Sequence, residues 1–235
     1  MPRPAARIIP IGPAKPRVPN LLMRVWDAPT RLFHWAIVIL LAVSYFSYRY
    51  DNIQLHFLSG YAMLTLLLFR LVWGFIGSDT SRFGRFLRSP LEGLRHLARF
   101  GRREPDTEMG HNAAGGWMVL ALLLVLAAQV GTGLFSRTDY GEAGPLSHRI
   151  TAAASDQITG LHGTIFNVIL GLITLHILAI IAYAVVKRHN LVRAMVTGRK
   201  RLPATMRQPH FASPLLAAVV LAAAAGVVAL VVRFA

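Results

Sequence analysis

The sequence predicts an all-α integral membrane protein, built as a four-helix bundle followed by a fifth, C-terminal transmembrane helix. Of the 235 residues, 54% are hydrophobic and only 15% are charged, and the mean hydropathy is +0.50. About 20 apolar residues are needed to cross the hydrocarbon core of a bilayer. Five stretches reach that length: about Thr30 to Tyr48, His56 to Ile76, Ala113 to Phe135, His162 to Val186, and Pro214 to Val232.

The segment before the first span differs from the rest of the chain. The first twenty residues carry six prolines and four basic residues, and they lack the apolar core of a secretory signal peptide. We predict a basic, proline-rich cytoplasmic tail over residues 1–22, a membrane domain over residues 23–203, and the fifth transmembrane helix over residues 204–235.

Lysine and arginine residues alternate across the predicted loops. Six lie up to Arg31, seven lie between spans two and three, and seven lie between spans four and five, whereas the opposite side has four. This is the positive-inside pattern, and it predicts an N-terminus inside the cell and a C-terminus outside. The net charge of +15 therefore gives no reason to expect nucleic-acid binding, because a nucleic-acid-binding face would not alternate with membrane topology.

Three other segments can be predicted from composition. Between Phe83 and Phe100 apolar residues recur every three or four positions with arginines between them, which predicts one amphipathic helix on the cytoplasmic lipid surface. The outer segment Ser136 to Gly160 is longer than a turn requires, and we predict that a partner docks there. The fifth span is almost wholly Ala, Val and Leu, so we predict that it packs against the bundle or binds a partner.

The chain contains no cysteine. Disulfides, thiolate metal sites, iron–sulfur clusters and covalent heme attachment through a CxxCH motif are therefore excluded within it. Any prosthetic group must be held by other side chains and by packing.

Four histidines lie in or at the ends of three predicted spans. His162 and His176 are fourteen residues apart, which puts their rings roughly 21 Å apart along a helix and on nearly the same face. His34 lies in the first span and His56 begins the second. An ionisable side chain inside a bilayer is costly and is usually functional. Four imidazoles on three helices predict two non-covalent hemes, each with two axial histidines.

Depth in the membrane predicts how these histidines pair. With the N-terminus inside, His34 and His176 lie toward the inner side, and His56 and His162 lie toward the outer side. By simple counting His34 is shallower than His176, so this inner pair requires helix tilt or an earlier start of span one. A proton or metal pathway and structural hydrogen bonding remain alternatives for these histidines.

Arg70 and two glycines add to this hypothesis. Arg70 lies in the middle of a span, fourteen residues after His56, and spans one to four contain no acid, so a propionate of the inner heme is its predicted partner. The alternative is that Arg70 extends toward the cytoplasmic surface. Gly60 and Gly163 lie beside the outer histidines, where a flat macrocycle would approach the backbone, although small residues also serve helix packing.

Four strings carry a resemblance to a known family: VWDAPTRLFHW, LHFLSGYAMLTLLLFRLVWGF, GHNAAGGWMVL and LHGTIFNVILGLITLHILAIIAYAVVKRHNLVRAMVTGRKRLP. They resemble the bacterial cytochrome b561 family, which includes the Ni,Fe-hydrogenase b-type cytochrome subunits and is related to the formate dehydrogenase cytochrome b subunits. The resemblance covers about Met23 to Pro203 and includes all four histidines in order.

The resemblance implies a four-helix bundle in the bacterial inner membrane with two b hemes, His34 and His176 on the inner heme and His56 and His162 on the outer one. It also implies electron transfer across the membrane as part of a respiratory chain. Because the outer loops are close to neutral, we expect an electron-transfer subunit rather than a stand-alone enzyme. Its partners would be the quinone pool and, outside, a periplasmic c-type cytochrome, hydrogenase or dehydrogenase.

In members of this family, quinone reacts near the inner heme. His111 and Asn112 of the GHN motif are therefore candidates for a quinone site beside His176. The usual motif reads GHNP, and here Ala113 replaces the proline. His111 could instead be an interfacial residue or a partner of an inner-heme propionate.

Two other functions remain open. Some short members of the wider family oxidise superoxide and pass the electron to quinone, which would favour basic residues around the outer heme because superoxide is an anion. The other alternative is a histidine-based ion transporter. The remaining histidines, namely His96, His148, His189 and His210, are expected to be solvated or to face lipid.

Overall fold

The computed structural model of the protein describes residues 19–102, 106–138 and 141–234, so most of the predicted N-terminal tail lies outside the described residues. Its elements in chain order are β1 (Asn20–Arg24), α1 (Ala28–Arg49), α2 (Ile53–Ile76), α3 (Phe83–Phe86), α4 (Pro90–Ala98), α5 (Ala113–Gly133), α6 (Ala152–Ala182), α7 (Leu191–Thr197), β2 (Arg199–Pro203) and α8 (Pro214–Phe234). Helices α1, α2, α5, α6 and α8 are long and apolar enough to cross a membrane. The predicted all-α membrane bundle with a fifth C-terminal helix is confirmed.

The main difference from the predicted spans is at α6. We expected this helix to begin at His162, but it begins at Ala152, where the Thr151 hydroxyl accepts a hydrogen bond from the Ala154 backbone N–H. Three consecutive alanines then favour helix over loop. The outer segment that we predicted from Ser136 to Gly160 is therefore helical in its last nine residues.

The bundle consists of two helical hairpins. Helix α1 packs along α2, α5 packs along α6, and α2 also meets α5, whereas α1 and α6 make almost no close backbone contacts. A layer of buried apolar side chains joins the two hairpins at mid-height: Ile37, Met63, Leu67, Leu126, Val130 and Ile169. Although α6 has 31 residues, Ser155 and Ile169 are its only buried ones.

One end of the bundle, which we call the basic end, carries β1, α3, α4, α7 and β2. Strand β1 pairs antiparallel with β2, from Asn20 opposite Pro203 to Arg24 opposite Arg199. The segment before α1 is therefore tied to the segment after α7. The opposite end, which we call the loop end, carries the turn between α1 and α2 and the connection between α5 and α6.

The prediction of a single amphipathic helix between Phe83 and Phe100 is wrong. The chain instead forms the short helix α3 and, after Ser89, the separate helix α4. Pro90 has no backbone N–H to continue a preceding helix, and the Ser89 hydroxyl accepts a bond from the Glu92 N–H and so caps α4. Phe86 is buried against the bundle rather than facing lipid.

The fifth transmembrane helix, α8, packs against the basic-end half of α2. Ala217, Val220 and Ala224 of α8 form a buried cluster with Phe69 and Trp73 of α2. The prediction that this helix packs against the bundle is confirmed.

Two glycines of α5 give a matched test of this packing. A Cβ at Gly116 would lie 2.6 Å from the Phe86 backbone oxygen, whereas a Cβ at Gly131 would have no atom within 4 Å. We expect Gly116→Ala to lower the free energy of unfolding by about 1–3 kcal/mol through overpacking, and Gly131→Ala to leave it unchanged or raise it by up to about 1 kcal/mol through helix propensity. Thermal unfolding in detergent, followed by circular dichroism, measures both variants. Equal midpoints would contradict the close contact between α5 and the α3 segment.

Candidate functional site

The structure brings the four predicted histidines together as two pairs. At the basic end, His34 of α1 and His176 of α6 have ring centroids 6.5 Å apart. At the loop end, His56 of α2 and His162 of α6 have ring centroids 6.3 Å apart. These are the pairings that membrane depth predicts, and the inner pair meets even though α1 and α6 barely touch elsewhere.

Both separations suit two imidazoles bound to one metal from opposite sides. With a metal–nitrogen bond of about 2 Å on each side and the ring centre about 1.2 Å beyond the nitrogen, the centroids of two such rings are roughly 6.4 Å apart. The described residues contain no group of three or more His, Asp or Glu side chains that could hold a metal ion. A metal at either pair would therefore need to bring its remaining ligands with it, as the iron of a tetrapyrrole does.

Backbone carbonyls orient the loop-end pair. The Nδ1 atom of His56 lies 2.9 Å from the Ser44 backbone oxygen, and the Nδ1 atom of His162 lies 2.9 Å from the Gln129 backbone oxygen. A carbonyl only accepts, so both Nδ1 atoms carry the proton and both Nε2 atoms carry a lone pair, which in His162 accepts a hydrogen bond from the Gln129 amide and would have to be released for a metal. Sequence analysis did not identify these partners, since a backbone acceptor leaves no signature in the sequence.

The Gln129 side chain is another residue that sequence analysis missed. Its amide nitrogen lies 3.0 Å from Nε2 of His162, and its buried Oε1 has no hydrogen-bond partner among the described residues. The signal available was a single amide side chain in the apolar helix α5. Gly133, one turn later, leaves room for His162, because a Cβ there would lie 3.1 Å from the ring.

The basic-end pair has different surroundings. Nδ1 of His34, Nη1 of Arg70 and Nδ1 of His111 are all buried, and none has a hydrogen-bond partner in the described part of the chain. Arg70 is 3% exposed, so it does not extend to the surface as the alternative reading required. Its Nη2 donates to the Ser81 backbone oxygen at 3.1 Å, and its guanidinium lies 4.9 Å from the centre of the Phe83 ring.

An acid does lie near Arg70, just before the first span. Asp27 caps α1, is 1% exposed, and accepts hydrogen bonds from the Thr30 N–H, the Trp73 indole N–H and the Ser81 hydroxyl at 2.9, 3.0 and 3.2 Å. Our expectation that no protein carboxylate lies close to Arg70 overlooked this cap, since it precedes the apolar stretch. Asp27 makes no ion pair with Arg70 within 4.0 Å, so Nη1 is still available.

The GHN motif divides its two polar side chains between two places. His111 is enclosed between Trp26 and Phe86, with ring centroids at 4.7 and 5.0 Å. Burial, together with the charge of nearby Arg70, lowers the pKa of His111 to about 3, so this imidazole is neutral at pH 7. Smaller electrostatic contributions to the same lowering come from His34 and His176.

Asn112 belongs to a separate group of hydrogen bonds. Its Oδ1 accepts from the Gly115 N–H and caps α5, and its Nδ2 donates to the Tyr183 hydroxyl at 2.8 Å. The same hydroxyl lies 2.5 Å from Nε2 of His96 on α4. Tyr183 begins a π-helical turn that ends α6, and such turns are frequent at functional sites. Our expectation that His96 is solvated or faces lipid is wrong, because it lies in this polar cluster.

The glycines beside the outer histidines do not mediate helix packing. No atom lies within 4 Å of where a Cβ would be at Gly60 or Gly163. The backbone therefore has open space at both positions, which is what a flat group alongside the helix requires.

The family can be assigned by comparison with known proteins. The family model described as prokaryotic cytochrome b561 matches residues 25–198. This chain belongs to the prokaryotic cytochrome b561 family. A curated relative, a probable Ni/Fe-hydrogenase B-type cytochrome subunit from Bradyrhizobium diazoefficiens, is 23% identical over 212 residues, which cover 75% of this chain and 85% of the relative. No solved structure matches this chain.

As a cytochrome b561 family member, the protein is a multi-pass membrane b-type cytochrome that works in electron transfer. The match ends at residue 198, so α8 lies outside the family region. The residues present fit a b heme, since the two histidine pairs have the separation for axial ligation and the basic end has buried donors without partners.

The Asp27 cluster can be tested against an ordinary helix cap. We expect Asp27→Ala to lower the free energy of unfolding by at least about 2 kcal/mol, because it leaves the buried Trp73 and Ser81 donors without an acceptor as well as uncapping α1. Asn52→Ala, which removes an exposed cap of α2, should cost about 1 kcal/mol or less. Chemical denaturation in detergent, monitored by tryptophan fluorescence, compares the two. A smaller loss for Asp27→Ala than for Asn52→Ala would contradict the role of this network.

Proposed function

We propose that the protein binds two b hemes, one between His34 and His176 and the other between His56 and His162. The observation that carries this proposal is the presence of two imidazole pairs, 6.5 and 6.3 Å apart by ring centroid, at opposite ends of one bundle. Gly60 and Gly163 provide open backbone beside the loop-end pair. A b heme supplies a one-electron couple between ferric and ferrous iron.

Arg70 and His111 are proposed to bind the propionates of the basic-end heme. Each has a buried nitrogen without a partner among the described residues. Arg70 offers a positive charge and neutral His111 offers a single N–H, so together they can neutralise and orient a carboxylate. Asp27 helps to fix Arg70 indirectly, because Asp27 and Arg70 both hydrogen-bond to Ser81.

The chain itself gives the electron a route across the membrane. The two tiers of histidines are separated by fourteen residues of α6, roughly 21 Å along the helix. Between them lies the dry layer of Ile37, Met63, Leu126 and Ile169. These side chains exclude water and ions, so charge crosses as an electron and not as an ion. A histidine-based ion transporter would need a polar path between the two tiers, and this apolar layer does not supply one.

The distribution of lysine and arginine residues supports an orientation of the protein in the membrane. Twenty of the 25 lysines and arginines lie in sequence segments predicted to be cytoplasmic, and the fifteen of them that the structure describes lie in segments at the basic end. Positive loops stay in the cytoplasm. We therefore assign the protein to the bacterial inner membrane, with the basic end in the cytoplasm and the loop end and C-terminus in the periplasm.

We propose that quinone reacts at the basic end and that a periplasmic redox partner docks at the loop end. Asn112, Tyr183 and His96 form a chain of hydrogen bonds at the basic end, and such a chain can deliver a proton to a reduced quinone. The relative is named as a hydrogenase cytochrome subunit, which supports a redox enzyme subunit as partner; a c-type cytochrome is the other candidate.

Superoxide oxidation has less support. It would require free cations around the loop-end heme to attract an anion. Arg137 at that end is paired with Asp156, with nitrogen–oxygen distances of 2.5 and 2.7 Å. Arg149 hydrogen-bonds to the Phe234 oxygen at 3.4 Å, and Arg233 lies 5.7 Å from the centre of the Phe234 ring. Three of the four basic residues at this end therefore have a partner, and the fourth, Arg49, is exposed. The function best supported is an electron-transfer subunit of a larger complex.

Heme content tests the two-site assignment. We expect the purified protein to give a b-type pyridine hemochrome with two hemes per chain. His56→Ala and His162→Ala should each lose one heme, because a heme that keeps only one of its two histidine ligands is not held firmly in place. His148→Ala, at an exposed position of the loop end, should retain both and serves as the control. One heme per wild-type chain, or loss of both from a folded variant, would refute the assignment.

A further inference from the structure

The fifth transmembrane helix, α8, lies against the part of the bundle that carries Arg70. We propose that α8 is a wall of the basic-end heme site, which keeps lipid and water away from the buried cluster of Asp27, Trp73 and Ser81 and thereby positions Arg70. The inference rests on the proposed function, since it needs the basic-end pair to bind heme. The family match ends at residue 198, so this wall lies outside the part of the chain that the match covers.

The segment that leads into α8 is fixed by directional contacts. The His210 backbone oxygen accepts a hydrogen bond from the Asp79 N–H at 3.0 Å, and the His210 N–H donates to the Asp79 carboxylate at 2.9 Å. The Ala212 N–H donates at 3.0 Å to the hydroxyl of Ser78, which has no exposed surface. Because hydrogen bonds weaken steeply when their geometry changes, these three bonds hold the start of α8 in one place on the end of α2.

Within the membrane, the small side chains of α8 cover Trp73. The buried cluster that they form with α2 includes Trp73, which has no exposed surface. Phe33, which precedes the ligand His34 in the chain, packs against the same cluster. Displacement of α8 would therefore uncover one face of Trp73 and the residue next to His34.

Trp73 connects this cover to Arg70 through hydrogen bonds. Its indole N–H donates to Asp27 at 3.0 Å, and the Ser81 hydroxyl donates to the same carboxylate oxygen at 3.2 Å. The Arg70 guanidinium donates to the Ser81 backbone oxygen at 3.1 Å. Such bonds are stronger where water cannot compete for the donors and acceptors, so a dry cover over Trp73 helps to keep the guanidinium in place.

The loop-end pair does not need such a cover. His56 and His162 are oriented by backbone oxygens within their own hairpins. The buried charged side chains of the described chain, namely Asp27, Arg70 and Lys187, are all at the basic end. A buried charge is costly unless its partners stay in place. Displacement of α8 should therefore disturb the basic-end site and spare the loop-end site.

Two neighbouring alanines of α8 give a matched test in the full chain. Ala217 is 7% exposed and belongs to the buried cluster, whereas Ala218 is exposed. Ala217→Phe should push α8 away from α2, and Ala218→Phe adds the same side chain on the outer face.

The absence of cysteine from the chain allows a single thiol to report on the covered segment. Thr80→Cys suits this purpose, because Thr80 is buried next to Ser81 and its hydroxyl has no hydrogen-bond partner in the described part of the chain. Ser155→Cys, at a buried position of α6, is the control reporter.

We expect Ala217→Phe to speed the reaction of Thr80→Cys with a membrane-permeant maleimide by about tenfold or more, because local opening exposes the thiol. Ala218→Phe should leave that rate unchanged, and neither change should affect Ser155→Cys. Equal rates for the two phenylalanine variants would overturn the inference. If Ala217→Phe does not fold, Ala224→Leu against Ala223→Leu repeats the comparison of a buried with an exposed alanine using a smaller side chain.

The reduction potential tests the positioning of Arg70. In His56→Ala, which should keep only the basic-end heme, we expect Ala217→Phe to shift that heme to lower potential, because a cation that moves away from the iron favours the reduced state less. In His34→Ala, which should keep only the loop-end heme, the same change should have no effect. A shift at the loop end, or none at the basic end, would overturn the inference. Absence of heme from the wild-type protein would refute the proposed function itself, while the labelling rates would still show whether α8 covers the cluster.

Discussion

The candidate site depends on two pairs of imidazoles, each contributed by two different helices. The α1–α2 and α5–α6 hairpins share one apolar layer at mid-height, and α1 and α6 have almost no other close approach. The pairs His34–His176 and His56–His162 lie one on each side of this layer. Ligation of a metal by each pair would tie the hairpins together at two further levels, so cofactor binding and tertiary stability would be coupled.

The basic end shows how a polar cluster can be buried at the edge of a membrane domain. Asp27 joins the start of α1 to Trp73 near the end of α2 and to Ser81 in the turn that follows. The Gly198 backbone oxygen accepts hydrogen bonds from the Val25 and Trp26 N–H groups. Gly198 has a φ of +74°, a left-handed conformation that glycine adopts without strain. These contacts fix the first turn of α1, and hence His34, against the segment that follows α6.

Sequence reasoning predicted the spans and the histidine pairing because both follow from simple periodic rules. Length and hydropathy define a span, and helix rise converts residue number into depth. The beginning of α6 was missed because the helix begins at Ala152, before the apolar stretch does. The break at Pro90 was missed because the apolar pattern that begins at Phe83 continues across it. Local capping residues decided both boundaries.

The contacts that distinguish the two pairs were beyond sequence reasoning. Trp73 and Ser81 are 46 and 54 residues from Asp27, and His96 is 87 residues from Tyr183. Nothing in composition or spacing selects these partners from other polar residues. The orientation of His56 and His162 by backbone oxygens cannot be predicted from sequence either, since any residue type at positions 44 and 129 would supply the same carbonyl.

The loop-end ligands are also fixed in a way that bears on assembly. His56 of α2 is oriented by α1, and His162 of α6 is oriented by α5, so each hairpin positions its own loop-end imidazole. The basic-end ligands, His34 of α1 and His176 of α6, also come from different hairpins, but Nδ1 of His34 has no hydrogen-bond partner among the described residues. Each hairpin can therefore orient its own loop-end imidazole before the bundle closes, although both pairs form only when the hairpins meet. Preorganisation of this kind reduces the ordering entropy that remains when a metal binds, and it makes the loop-end site the less dependent of the two on prior assembly.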